Sequence, residues 1–179
     1  MRQGRPPRRV TAAPARELPH YEVLEEVARD FHAPSRPVAA YITFRLVLNE
    51  FSNAVDAHFA RYGLSQSRFS VLMLLRHAKG HQLTPIDLAS KAGVRPATMT
   101  GLLAGLERDA LVRREHQSDD RRVVTVHLLP KGLSVVEDII PSHAASIVKL
   151  MEGLSDDDLE AFARTLTILR SRLAGFREA

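Results

Sequence analysis

The chain is 179 residues long, carries a formal net charge of +4 and contains neither cysteine nor tryptophan. That length suits one domain with appended helices and can bury a core. The missing cysteines exclude disulfides, thiolate zinc sites and thiol-based redox sensing, while the basic balance points to polyanions, nucleic acid first.

Residues 1–17 are rich in arginine and proline and almost devoid of large apolar side chains. Such a segment cannot bury enough surface to order itself. It is expected to be a disordered basic arm, either adding phosphate contacts or without consequence. From Pro19 the pattern changes, and Tyr21, Leu24, Val27, Ala28 and Phe31 fall on one helical stripe. The stripe predicts a short amphipathic helix that must pack on something, because a helix of this length is marginal alone.

Ala33-Pro34-Ser35-Arg36-Pro37 should break that helix. Val38 to Tyr62 then reads as a long helix, ended by Gly63. Ser65 is placed to cap the next one, Gln66 to His77, whose Phe69, Leu72 and Leu75 look buried. Lys79-Gly80-His81 reads as a loop and Leu83 as a minimal strand. His77 and His81 are four apart, but Gly80 interrupts the helix between them and no metal site is expected.

Thr84 to Gly132 carries the chemistry. Thr84-Pro85-Ile86-Asp87 opens a helix with a cap, a proline suited to the first helical position and a capping-box-like aspartate. Gly93 supplies a turn needing positive φ, and Arg95-Pro96 opens a second helix through about Arg108. Leu102, Leu103 and Leu106 face back to the core. Arg95, Pro96, Ala97, Thr98 and Thr100 stand where base edges would be met, and a helix N-terminus favours phosphate. Thr98 and Thr100 could instead bond back to their own helix. Leu111–Glu115 and Val123–Leu128 form a hairpin, or wing, with Val124, Val126 and Leu128 alternating with Val123, Thr125 and His127. Its tip holds Asp120, Arg121 and Arg122.

Leu133 to Glu152 is helical but interrupted by Pro141, which should kink or break it. Gly153 stops it. Ser155-Asp156-Asp157-Asp158 caps a last helix through about Leu173, striped by Leu159, Phe162, Leu166, Leu169 and Leu173. The terminal helices hold more apolar surface than a compact winged core can cover, and a second copy is the simplest cover, giving a two-fold dimer.

The wing segment Leu111-Val-Arg-Arg-Glu-His-Gln-Ser-Asp-Asp-Arg-Arg-Val, followed by His127-Leu-Leu-Pro-Lys-Gly, resembles the MarR family of bacterial transcription regulators. Weaker likeness runs from about Val38 to the C-terminus. Leu129, Ala110 and Gly101 depart from the family's usual threonine, glycine and arginine. The resemblance implies a mainly α fold with a small β-hairpin wing: a winged helix-turn-helix core plus N- and C-terminal dimerisation helices. The expected organisation is a basic arm (1–17), N-terminal helices (18–62), a DNA-binding domain (63–132) and C-terminal dimerisation helices (133–179). It further implies that Arg122 enters the minor groove, that Asp120 orients it, and that Arg121 and Arg114 meet phosphates or brace the wing.

The expected function is a dimeric, sequence-specific regulator of double-stranded DNA, repressing from an inverted-repeat operator until a small aromatic acid releases it. The alternative is an architectural winged helix with no ligand. His20, Tyr41, Arg45 and Ser70 offer a ring, a cation and polar groups for a carboxylate ligand; in the other reading Arg45 pairs with an acid and Tyr41 belongs to a dimer core. No phosphate loop, dinucleotide fingerprint, nucleophile elbow or His-Glu-x-x-His occurs, so neither an enzyme nor a resident cofactor is expected. No apolar run approaches the ~20 residues of a membrane span, no signal-peptide pattern is seen, and a cytoplasmic location is expected.

Overall fold

A computed structural model describes Glu26, Asp30 and residues 35–116 and 124–178. The stripe predicted around Tyr21 to Phe31 falls almost wholly outside these residues, although Glu26 and Asp30 are helical. Two compact units are distinguished, one within Pro14–Ala144 and the other within Ala145–Ala179.

The first unit begins with α1, Ser35–Ala60. It starts earlier than the proline pair suggests, because Pro37 falls in the first turn, where a missing N–H has no intrahelical partner to lose. Gly63, at φ 68°, turns the chain into α2, Gln66–His77, capped by the Ser65 hydroxyl accepting from Arg68 N. A 3-10 turn, Lys79–His81, leads to β1, Gln82–Leu83. His81 is spent locally, its Nδ1 2.9 Å from the Arg76 carbonyl. Next come α3, Pro85–Ala92, and α4, Pro96–Arg108. Strands β2, Val112–His116, and β3, Val124–Leu128, precede α5, Pro130–Leu150.

The sheet is antiparallel in the order β1-β3-β2, with Leu83 opposite Val126 and Arg114 opposite Val126 on the other side. Because β3 is the central strand, its alternation is imperfect: Thr125 is buried along with Val126. The core joins Phe59 of α1, Phe69, Leu72 and Leu75 of α2, Leu88 of α3, Met99, Leu103 and Leu106 of α4, Val126 of β3, and Val136 and Ile139 of α5. Pro141 does not interrupt α5. Pro141 and Glu137 are both exposed, so the carbonyl that loses its donor can turn to water.

Gly132 sits against the chain where it leaves α4. A Cβ there would lie 2.3 Å from the Leu111 carbonyl oxygen, which itself accepts from Leu129 N at 3.0 Å. The first turn of α5 is thus pressed onto the entry to the wing.

At the end of α1, His58 packs on Phe59, Tyr62 and His143, and Phe59 stacks on Phe69. Arg61 Nη2 lies 2.5 Å from His58 Nδ1, while His58 Nε2 is buried with no partner among the described residues. Tyr62 and Ser142 hydroxyls meet at 2.6 Å.

The second unit contains α6, Asp156–Glu178. Ser155 Oγ accepts from Asp158 N at 3.2 Å, and the Asp158 carboxylate accepts from Ser155 N at 3.1 Å, a reciprocal cap. Among the described residues no helix is long and apolar enough to cross a membrane.

Two outcomes follow from this packing. Gly132→Ala should cost about 1–3 kcal/mol in denaturant unfolding, since the nearest obstacle is backbone rather than a flexible side chain. Burial first, then Arg61 and His143, hold the His58 pKa below its ordinary 6.5. Between the lowered native value and 6.5 the unfolded chain binds more protons at this site. Stability should therefore fall as pH drops below that value, and His58→Gln should flatten the slope of unfolding free energy against pH.

Candidate nucleic-acid interface

The α3-turn-α4 segment is built by local chemistry. Thr84 Oγ1 accepts from Asp87 N at 3.1 Å and donates to the Asp87 carboxylate at 2.7 Å. Gly93, at φ 66°, ends α3, and Val94 N reaches back to the Ala89 carbonyl at 3.0 Å. Arg95 precedes α4 in extended geometry and makes no side-chain cap, so the first N–H groups of α4 have no capping oxygen from that residue.

Met99, Leu103 and Leu106 are buried and Leu102 half-buried. Arg95, Pro96, Ala97, Thr98, Thr100 and Gly101 are all exposed, Arg95 and Pro96 because they stand at the start of the helix. Thr100 donates to the Pro96 carbonyl at 3.0 Å, which is the back-bonded arrangement. Its hydroxyl hydrogen is thereby spent on the helix, leaving its methyl and lone pairs outward. No Cβ contact would be met at Gly101, so a larger side chain has open space there.

Arg114 is tied to the same helix. Its Nε and Nη2 donate to Glu107 Oε2 at 2.9 and 2.5 Å, and its backbone N–H donates to Glu107 Oε1 at 3.1 Å. These bonds hold the Glu107 carboxyl below its ordinary pKa. The wing base is therefore braced to α4, and Arg114 serves first as that brace. Glu115 is met by Arg113 of its own strand at 3.1 Å and, across the hairpin, by His127 Nε2 at 3.2 Å. A cavity of about 240 Å³ opens beneath the wing, lined by Pro85, Thr100, Leu103, Arg114 and Val124.

The back end of α4 is closed by a 6→1 bond from Leu111 N to the Leu106 carbonyl at 2.9 Å and a second from Ala110 N to Glu107 O at 2.9 Å. This cap requires a left-handed residue, and Ala110 fills it at φ 56°. A non-glycine residue there carries strain.

The arrangement is a helix presenting small and polar groups, backed by a core and flanked by a braced hairpin. The family model described as MarR matches residues 64–124. The HTH-type transcriptional repressor YetL of Bacillus subtilis is 33% identical over 164 residues, covering 91% of this chain and 98% of that protein. The chain belongs to the MarR family. Its fold is shared by AbsC of Streptomyces coelicolor, at a TM-score of 0.69 and 24% identity over 76% of this chain and 93% of that one. The MepR–DNA complex of S. aureus gives 0.67 and 24%, covering 74% and 96%. The protein is accordingly a winged-helix, DNA-binding transcription regulator and not an enzyme.

Of the other anticipated residues of this MarR-family chain, Asp120, Arg121, Arg122 and His20 lie outside the described residues. Tyr41, Arg45 and Ser70 are exposed. Within one chain they do not converge. Ser70 follows Phe69, which stacks on Phe59, whereas Tyr41 lies about 27 Å further back along α1 at 1.5 Å per residue. Glu107 and Arg68, not singled out by sequence, complete the setting of α4. Among the described residues no group of three or more His, Asp or Glu could hold a metal ion.

Ala110→Gly should relieve the left-handed strain behind α4 and raise stability by about 1 kcal/mol in denaturant unfolding. A loss of stability instead would mean that the Ala110 methyl contributes more than the strain costs.

Proposed function

We propose that this MarR-family chain is a cytoplasmic homodimer that represses transcription from an inverted-repeat operator and is released by a small aromatic acid. The observation that carries the DNA half of this reading is the exposed group Arg95, Pro96, Ala97, Thr98 and Thr100 at the start of α4, which has no side-chain cap and is braced to the wing through Glu107 and Arg114. Repression is supported by the nearly full-length similarity to a repressor.

Apolar exposure supports the dimer. In the first unit Tyr41, Phe44, Val47, Leu48 and Phe51 of α1 are 40–54% exposed. In the second, Leu159, Phe162, Ile168, Leu169 and Leu173 of α6 are 36–54% exposed. Rows of this kind on both terminal helices exceed what a monomer leaves uncovered. A two-fold pair sets two α4 helices about 34–36 Å apart, one turn of duplex.

Support for an effector is of two kinds. Tyr41 and Arg45, four apart on α1, provide a ring and a cation on the face that a partner copy would complete. The cavity beneath the wing provides apolar walls and the Arg114 guanidinium beside the DNA-reading helix. Arg45→Ala and Arg114→Ala distinguish these positions by which one blunts release of DNA by aromatic acids.

Selection of random duplex DNA by the purified protein at near-physiological salt should enrich an inverted repeat with half-sites one turn apart. Binding without an enriched motif would favour the architectural role. Arg122→Ala should weaken operator binding by about 1–3 kcal/mol and leave the dimer intact in sedimentation. Unchanged affinity would remove the wing tip from the interface.

A further inference from the structure

The back end of α4 is held by a guanidinium from another helix. Arg68, on the first turn of α2, has a side chain only 17% exposed. Its Nη2 donates to the Gly105 carbonyl at 3.2 Å and to the Asp109 carboxylate, and its Nη1 approaches the Gly63 carbonyl at 3.5 Å. Asp109, at the C-terminal cap of α4, is held below its ordinary pKa first by the Arg68 hydrogen bond. Lys131 Nζ, from the first turn of α5, donates to the Asp109 carbonyl at 2.9 Å. Two cations thus close the negative end of the α4 dipole.

We infer that Arg68 is a positioning residue for DNA reading: with Asp109 it clamps the rear of α4 and sets the angle at which Arg95 to Thr100 meet the groove. The argument is geometric. Helix α4 has 13 residues, so it is about 20 Å long, and a tilt of about 10° at the clamp moves the front by about 3.5 Å. Hydrogen bonds to base edges form only within about 2.7–3.2 Å. The apolar seat of Met99, Leu103 and Leu106 resists lifting but is non-directional. A single guanidinium nitrogen, Nη2, engages both a carbonyl and a carboxylate of one helix end, and two directional bonds from one planar group fix direction. Arg68 is turned inward to these partners, which separates its role from that of a phosphate contact. The clamp also spans elements, since Gly63 ends the α1 corner and Gly105 lies on α4.

The inference rests on α4 as the groove helix, so the experiment has two arms, both on the full-length chain. In the first, amide hydrogen exchange without DNA compares wild type with Arg68→Met, whose apolar side chain fills the site while the Asp109 side chain, 41% exposed, stays accessible to water. Exchange should rise across Pro96–Arg108 and stay unchanged in α2 and α5. In the second, affinity for the duplex most enriched by the wild-type protein is compared with affinity for a scrambled duplex.

Arg68→Met and Asp109→Asn should each lower specific affinity about 10- to 100-fold, equivalent to one or two lost base contacts, and leave scrambled-duplex affinity unchanged. The double variant should lose no more than either single one, and Arg68→Lys, which keeps the charge without the planar guanidinium, should recover part of the loss. An unchanged ratio of specific to scrambled affinity in folded Arg68→Met overturns the inference. So does an equal fall for both duplexes with a salt slope reduced by about one, which marks a phosphate contact. If the wild-type protein enriches no motif, the sequence-specific reading fails on its own, and unchanged α4 exchange in Arg68→Met then overturns the clamp.

Discussion

A DNA-reading helix has to be gripped from one side only, and the rest of this chain is arranged around that constraint. Met99, Leu103 and Leu106 of α4 are essentially inaccessible, while Arg95, Pro96, Ala97, Thr98 and Thr100 are left bare. Burying each large apolar side chain contributes about 1.5–3 kcal/mol, so three of them are a substantial part of a net stability of about 5–15 kcal/mol. Apolar adhesion is indifferent to small rotations, however. Direction comes from polar groups behind the helix: Arg68, Asp109 and the Glu107–Arg114 pair.

Those rear contacts share a crowded corner. Glu107 reaches forward to the wing while the main chain two residues beyond Arg108 bends through Ala110 in a left-handed conformation. Leu111 then gives its carbonyl to Leu129 N and abuts Gly132. The helix, the first wing strand and the start of α5 are therefore located by one short stretch. Strain at Ala110 is tolerated because the capping bonds around it are all made and Leu111 is buried.

Local punctuation was legible in the sequence because its causes are local. Ser65, Thr84, Gly63 and Gly93 act within three or four residues, and the helices they bound fall where the sequence places them. The α4 boundaries follow from Arg95-Pro96 and an apolar spacing that any helix of this kind needs. Pro141 does not break α5: proline removes a donor wherever it stands, but whether the helix breaks depends on solvent access at residue 137, which one sequence does not display. Arg68 and Glu107 escaped for a different reason. Arg68 meets Gly105 and Asp109 across 37 and 41 residues, and Glu107 meets Arg114 across the end of a helix, so neither pairing follows from periodicity. Likewise Tyr41, Arg45 and Ser70 share residue types suited to a carboxylate, but the distance along α1 is visible only once Phe59 is stacked on Phe69.

The same layout bears on how such a helix could be switched. A ligand shifts DNA binding only to the extent that it prefers one arrangement of the protein, and a hundredfold loss of affinity requires about 2.7 kcal/mol of such preference. Deforming the apolar seat of α4 is a poor route, because packed interiors resist small displacements. The polar contacts offer a softer one. Arg114 lines the cavity beneath the wing and is bonded to Glu107, so a carboxylate entering there would compete with Glu107 for one guanidinium. Loss of that bond would free the wing base while leaving the core intact. At the other end, the Gly63 carbonyl beside Arg68 links the close of α1 to the rear of α4. Movement of α1 relative to α2 would therefore bear on the Arg68 contact together with the Phe59–Phe69 stack, and a lever about 20 Å long converts that load into displacement at the groove.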